Sequence, residues 1–287
     1  MQEKKRGRTR SRWLLPAALV LAGAAWFENF TLSTSTVTAA CAALPEAFSG
    51  LRIVQISDLH GRRFDAESRY LLELVRLQSP DLIALTGDLA DEFTDFSMLP
   101  PLLDGLTALA PTFYVTGNHE WVLSREKREA LFSMLDAAGV VRLQNEYRLL
   151  KKGQASIVVA GVDDPNGPYD QKRPAQLVRE IRQSRGRDAY ILMLSHRNDE
   201  LDLWANMGVQ TVLCGHGHGG IVRLPFAGAV FGTHLDLFPD YTAGLYQKGQ
   251  TSMIVSRGLG GSRKLPLRIG NRPEIVTVIL KAESGKV

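Results

Sequence analysis

The sequence predicts an α/β domain built on mixed β-sheet, and three observations predict it. Short apolar runs alternate with stretches of helical period between residues 51 and 214. Strand-like runs near the C-terminus, Met253 to Val255 and Ile275 to Leu280, have no helix between them, so the sheet is expected to be mixed. Five of the apolar runs end in a short motif of Asp, Asn or His, the place where loops of an α/β sheet converge. With 287 residues and 45% hydrophobic content, one large domain is expected.

The chain opens on a basic tail. Residues 1–12 carry Lys4, Lys5, Arg6, Arg8, Arg10 and Arg12 against Glu3, a balance of +5 in a chain of net charge +4, so everything after residue 12 sums to −1. The folded part thus has no excess positive charge to follow a phosphate backbone, and no nucleic-acid partner is expected. An apolar run from Trp13 to Phe27 follows, interrupted only by Pro16 and Gly23. A basic flank ahead of an apolar core reads as membrane insertion, so 13–32 is expected to be a transmembrane anchor or, alternatively, a cleaved signal segment. The run is only about 22 Å long as a helix against a ~30 Å hydrocarbon core, so a spanning helix must draw on Phe30 and Leu32. No basic residue follows until Arg52, and this bias implies a single-pass protein of the cell membrane with a cytoplasmic tail and an extracytoplasmic domain.

Phe30 to Ala43 is rich in Thr, Val and Ala and suits an edge strand or extended lead-in, so 33–50 is read as leading into a domain at 51–287. Then come strand-like Leu51 to Ser57, helix-like Ala66 to Gln78 and strand-like Leu82 to Thr86, a βαβ rhythm. A helix around Leu102 to Leu109, a strand Phe113 to Thr116, and a helix opened by Ser124 and stopped by Gly139 continue it. Strand Ile157 to Ala160 leads to a helix with Pro174 in its first turn. Strand Tyr190 to Leu194 leads to a helix capped by Asn198 and ended by Gly208, before strand Val209 to Cys214. Cys41 and Cys214 read as isolated thiols.

Five of the six histidines fall in the motifs at the strand ends; His234 lies outside them. Asp58 and His60 are two apart, so on an extended strand end carboxylate and imidazole project to one side. Alone such a pair is common in solvated loops. His216 and His218 repeat the spacing, and Gly215, Gly217, Gly219 and Gly220 let the backbone turn sharply beside an ion. Asp88 follows Gly87, and its two oxygens can bridge ions ~3.5 to 4 Å apart; its plainer reading is a turn aspartate. Asn118 and His119 are neighbours that must point apart, which suggests one ligand and one acid. His196 would complete a second shell, although a lone histidine there is more often a satisfied core residue. Taken together, imidazole, carboxylate and amide at five strand ends point to a transition metal, because calcium and magnesium prefer all-oxygen shells.

The order Asp58-Leu59-His60, Gly87-Asp88-Leu89-Ala90-Asp91, Gly117-Asn118-His119-Glu120, His196, Gly215-His216-Gly217-His218 resembles the calcineurin-like metallophosphoesterase superfamily over residues 51–220. Gly50-Leu51-Arg52-Ile53-Val54, Ser256-Arg257-Gly258-Leu259-Gly260 and Asn271-Arg272-Pro273-Glu274-Ile275 look like the membrane-associated bacterial YkuE/YaeI-type phosphodiesterases. The resemblance implies a four-layer sandwich of two mixed sheets flanked by helices, where the alternating pattern alone also admits a doubly wound sheet. It implies that Asp58, His60 and His218 bind one ion, that Asn118, His196 and His216 bind the other, and that Asp88 bridges. The ions would be divalent manganese, iron or zinc, manganese first, lowering the pKa of a water that attacks phosphorus. His119 would protonate the leaving alkoxide. Asp91 resembles the aspartate that orients this histidine, or is a solvated acid beside Glu92. Arg197 stands where many relatives carry Asn followed by Pro; it contacts substrate phosphate or flanks the helix start.

The leading function is therefore a metal-dependent phosphodiesterase or pyrophosphatase acting on a phosphoester, lipid-linked or cell-wall-derived if the anchor holds the site near a membrane. A UDP-2,3-diacylglucosamine pyrophosphatase-like role needs a cytoplasmic site, which the charge bias opposes. A non-catalytic metal-binding scaffold is the alternative of another class, and the complete ligand set argues against it. Phe226 and Tyr241 follow the last motif and are read first as packing residues.

Overall fold

The computed structural model describes residues 7–233, 235–261 and 268–283, with the backbone alone at 7–15, 17 and 21. In chain order the elements are α1 (Gly7–Phe30), β1 (Ser33–Cys41), β2 (Arg52–Ile56), α2 (Arg69–Leu77), β3 (Leu82–Thr86), α3 (Leu99–Leu109), β4 (Thr112–Val115), α4 (Asn118–Val122), α5 (Arg125–Ala137), β5 (Val141–Arg142), β6 (Glu146–Lys152) and β7 (Ala155–Gly161). They continue with α6 (Pro174–Arg185), β8 (Ile191–Leu194), α7 (Leu201–Asn206), β9 (Thr211–Cys214), β10 (Val222–Leu224), β11 (Gly228–Phe231), β12 (Gly244–Lys248), β13 (Thr251–Val255) and β14 (Glu274–Ala282).

The central strands are apolar on both faces, which requires cover on both. They form two six-stranded sheets, ordered β1-β14-β2-β3-β4-β5 and β12-β13-β9-β8-β7-β6. Both are mixed: β14 runs antiparallel to β2, while β2, β3 and β4 are parallel; β6 and β12 are the antiparallel edges around parallel β7, β8, β9 and β13. Alternation along each strand assigns the faces. Ile53, Leu82, Ala84 and Phe113 of the first sheet pack against Leu192, Leu194, Leu213 and Ile254 of the second. The opposite faces are covered by helices, with Val54, Ile83 and Leu85 under Leu71, Leu102 and Leu131, and Ile191, Met193 and Val212 under Leu177, Ile181 and Trp204. Helix, sheet, sheet and helix thus stack in four layers. Truncating one inter-sheet leucine to alanine should cost about 2–5 kcal/mol.

Several elements differ from the sequence expectation. β6 pairs with β7 over its whole length, yet Arg148, Lys151 and Lys152 hide its strand pattern, as charges often do on an edge. β5 and the hairpin of β10 and β11 are too short to carry a period. Helix α7 begins at Leu201 and not after Asn198, whose side-chain amide instead donates to the carbonyl of Tyr241 at 2.8 Å. Ser124 does cap α5, accepting from the Lys127 amide, and Gly139 follows it in the left-handed region. Cys41 and Cys214 are both buried thiols.

The anchor expected at 13–32 finds no support: helix α1 covers 13–30 of it, and among the described residues no helix is long and apolar enough to cross a membrane. The apolar run is short, and just beyond it Asn29 is buried against the domain, bonded to Arg268. The case for a membrane-proximal, lipid-linked substrate loses its support with the anchor. Residues 1–6 of the basic tail, and His234, lie outside the described residues.

Candidate metal centre

The ends of β2, β3, β4, β8 and β9 emerge on one side of the two packed sheets, and each carries one of the predicted residues or pairs. Left-handed backbone is required to bring them inward. Asp58, His60, Asp88, His216 and His218 all have φ between 49° and 67°, a conformation that costs a non-glycine residue free energy and persists only where the surroundings hold it. The surroundings do so here. Asp58 N–H donates to Gly87 O at 3.0 Å, His60 N–H to Asp88 O at 2.9 Å, and Gly215 N–H to His196 O at 3.0 Å, so each ligand loop is tied to its neighbour. Gly117 and Gly215 are obligatory for another reason: a Cβ at either would overlap the Asp88 or Asp58 carboxylate.

Two groups of facing ligand atoms result. Asp58, His60, Asp88 and His218 form one and Asp88, His196 and His216 the other, with the donor atoms of each within 4.8 Å of one another. Asp88 belongs to both. His196 Nε2 lies 3.2 Å from Asp88 Oδ2, 3.2 Å from His216 Nδ1 and 3.2 Å from Asn118 Oδ1, so Asn118 joins the second group. Asp58 is held by the His216 amide at 3.0 Å, while His218 Nε2 stands 3.6 Å from Asp58 Oδ1.

The donor set fits a cation. Both ring nitrogens of His60 and Nδ1 of His218 are buried without a hydrogen-bond partner among the described residues, which is costly unless something else fills the space between them. Charge points the same way. Burial pushes the Asp58 carboxyl up to about 6, and burial pulls His60 down to about 4 and His218 well below its ordinary value. Burial also acts against a charged His196, yet the Asp88 and Asp58 carboxylates outweigh it and raise the ring to about 10. Asp88, for all its burial, is held below the usual carboxylate range by that same imidazolium. The Asp58 and Asp88 carboxylates thus draw positive charge towards them, a role that a bound cation would fill.

The remaining predicted residues fall around this centre. His119 presents its ring edge-on to His60, with centroids 4.7 Å apart, and its backbone N–H donates to Asp88 Oδ1 at 2.8 Å. Asp91 faces a different histidine from the one expected. Its Oδ1 accepts from Phe93 N and Thr94 Oγ1, its Oδ2 lies 3.8 Å from His60 Nδ1, and among the described residues it has no hydrogen bond to His119. The tight turn through Thr94 directs the carboxylate to the ligand side. Arg197 brings one guanidinium nitrogen to 3.1 Å from His216 Nε2. A cavity of about 450 Å³ opens beside it, lined by Arg197, His216, Asp236, Asp240 and Tyr241 among others. Phe226 is fully exposed and Tyr241 packs edge-on against Tyr246.

Two further residues escaped the sequence reading. Glu120 is fully buried and accepts four backbone N–H groups, from Asp88 (3.0 Å), Leu89 (2.7 Å), Ala90 (3.3 Å) and Gly117 (2.7 Å), binding the β3 loop to the start of α4. Burial and the Asp88 charge push its carboxyl up to about 7 against those donors. Its position three residues after Gly117, where a first-turn Glu reaches back to the helix start, was the available signal. Asp164, just beyond β7, grips Arg197 with both oxygens at 2.6 and 3.0 Å and fixes the fork. Nothing in the local sequence ties it to residue 197.

Buried carboxylates and imidazoles, with the ring nitrogens of His60 and Nδ1 of His218 unpartnered among the described residues, at the strand ends of a four-layer sandwich define a metal-binding α/β protein. The chain belongs to the calcineurin-like phosphoesterase family, whose model matches residues 51–220, and is a phosphoester hydrolase. It is 31% identical over 267 residues to the uncharacterized metallophosphoesterase YkuE of Bacillus subtilis, covering 90% of this chain and 89% of that one. Phosphodiesterase YaeI of Escherichia coli is 30% identical over 234 residues, with 80% and 82% covered. The uncharacterized metallophosphoesterase YkoQ of Bacillus subtilis is 28% identical over 228 residues, with 78% and 82% covered.

Proposed function

We propose that the protein is a dinuclear metal-dependent phosphodiesterase. The observation that carries the reading is Asp88, whose carboxylate belongs to both ligand groups and so suits a bridge. Asp58, His60 and His218 would hold one divalent ion and Asn118, His196 and His216 the other, with manganese proposed ahead of iron and zinc. Once bound, the ions would offset the phosphate charge and lower the pKa of an attacking water. The chain's own groups then have separate tasks. Arg197, locked by Asp164, offers its outward N–H groups to a non-bridging phosphate oxygen. His119 hands a proton to the departing alkoxide. Asp91 orients the His60 ring, and Glu120 keeps the Asp88 and Asn118 loops at a fixed distance. The diester preference is supported by the name of the relative YaeI.

Purified protein should bind manganese and hydrolyse an aryl phosphodiester faster than a phosphomonoester or a nucleotide-sugar pyrophosphate. A faster pyrophosphate reaction would replace the diester reading; no metal-dependent hydrolysis of any of the three overturns the function. The extracytoplasmic location is a separate proposal that requires the apolar run at 13–27 to be inserted in a membrane, as an anchor or as a cleaved signal segment, with the basic residues of 1–12 setting its direction; protease shaving of intact cells tests it by cleaving only an outward-facing domain.

A further inference from the structure

Arg268 is 3% exposed, and its guanidinium finds carbonyl oxygens and no carboxylate among the described ion pairs. It donates to Arg257 O at 2.8 Å, Gly258 O at 3.3 Å, Gly260 O at 3.0 Å, His218 O at 3.4 Å and Asn271 O at 3.3 Å. One side chain therefore joins the loops that follow β9 and β13 to the one that precedes β14. The middle loop is bonded in turn to the first ligand strand, with Leu259 N–H on Ser57 O at 3.0 Å and Gly260 N–H on Asp58 O at 2.5 Å. Asn271 adds a second brace, its amide donating to His218 O at 2.9 Å and Gly220 O at 2.6 Å. His218 and Asp58, both in strained backbone, are thus held from behind by this cluster.

The cluster reaches the N-terminal helix. Asn29, at the last turn of α1, accepts Arg268 N–H at 2.8 Å and donates to Arg268 O at 3.1 Å, clamping that residue's backbone through both of its polar groups. Arg62 donates to the carbonyl of Asn29, and Arg272 lies over the Phe27 ring at 4.4 Å, so the helix end is seated by further contacts.

Resting on the metal-centre reading above, we propose that Arg268 is a positioning residue for the Asp58, His60 and His218 half of the centre, and that Asn29 makes the end of α1 part of its support. The cluster's bonds run to His218 O and, through Gly260, to Asp58 O, and neither Asn118 nor His196 has a hydrogen bond to it among the described residues. The two halves should therefore respond differently.

Manganese titration of the full chain by calorimetry, with unfolding of the metal-free protein as control, tests it. Wild type should show two ions. Arg268→Met should weaken one ion by at least tenfold and leave the other within about twofold. Arg268→Lys should recover little, because a point charge cannot span the loops that the planar fork joins. Asn29→Ala, in case Arg268→Met does not fold, should lower the metal-free melting temperature only modestly, leave the protein folded at the titration temperature, and weaken the same ion about three- to tenfold. Equal weakening of both ions, full recovery by Lys, or unchanged affinities in Asn29→Ala overturns the inference and leaves the metal centre standing. A wild-type protein that binds no ion overturns the metal centre itself.

Discussion

The ligand-bearing strand ends and the rim at 222–242 border one cavity but are held in different ways. Asp58, Asp88, His196 and His218 are at most 8% exposed, whereas Leu224, Phe226, Leu235, Leu237 and Phe238 of the rim are all more than half exposed. Both regions use left-handed backbone, at Asp58, His60, Asp88, His216 and His218 in one and at Phe226, Leu235, Phe238 and Tyr241 in the other. The difference lies in what pins it. Each ligand loop is bonded to the loop of another strand, while the rim largely bonds to itself, as in Gly232 N–H to Asp236 O and Phe238 N–H to Val230 O. Strain supported from several directions gives fixed geometry, which metal chemistry needs; a self-supporting exposed rim can vary with substrate.

A graded set of variants tests this contrast. Asp88→Asn removes the shared ligand and should lower aryl phosphodiester hydrolysis by about 10³-fold or more, with circular dichroism unchanged. Full activity in that variant would remove the bridge from the mechanism. Glu120→Ala leaves four buried N–H groups without their acceptor, so the urea midpoint of the metal-free protein should fall by an amount equivalent to about 3 kcal/mol or more. Arg197→Ala and Asp164→Ala should each lower kcat/KM about 10- to 100-fold, and Arg197→Lys should not restore it, because the bidentate grip needs the guanidinium plane.

Glu200 lines a second cavity of about 230 Å³ together with His196, Arg197 and Asp164. Burial, with the Asp199 charge, raises its carboxyl from 4.5 to about 7. Below 4.5 the folded and unfolded states are both protonated and Glu200 has no effect. Between 4.5 and 7 the folded state retains a proton that the unfolded state has lost, so stability declines as pH rises, and the cost persists above 7. Glu200→Gln should therefore stabilise the metal-free protein at pH 8, by about 1–2 kcal/mol after allowing for solvent screening, and leave it unchanged at pH 4. The smallest effect belongs to the rim: Phe238→Ala should change hydrolysis of a small aryl diester by less than about threefold. A large loss there would make the rim part of the fixed chemistry and erase the contrast.

Much of the ligand-bearing region was legible because coordination chemistry and two-sided burial are both written in residue type. Apolar runs such as Leu82 to Thr86 announce central strands, and a run of Asp, Asn and His at five strand ends announces a shared ligand. Edges were harder to read. β6 carries charges where a central strand would carry Val or Ile, and β10 and β11 are too short for a period. The second tier of the site was hidden for a different reason. Asp91 sits three residues from Asp88 and suggested a partner for His119, but its turn with Thr94 faces it to His60. Hydropathy marks the apolar run of helix α1 but says nothing of Asn29 just beyond it, whose side chain pairs with the Arg268 backbone.

The alternation of strands and helices, the residue types able to hold a metal and their placement at strand ends were all legible along the chain, since periodicity and donor chemistry are local properties. Which groups meet was set by the fold. It brought His196, His216 and His218 from one sheet against Asp58, Asp88 and Asn118 from the other, laid β1 parallel to β14 across most of the chain, and joined Asp164 to Arg197 and Asn29 to Arg268. Those pairings depend on through-space distances between residues far apart in the chain, set by the packing of two sheets and not by any spacing along one segment.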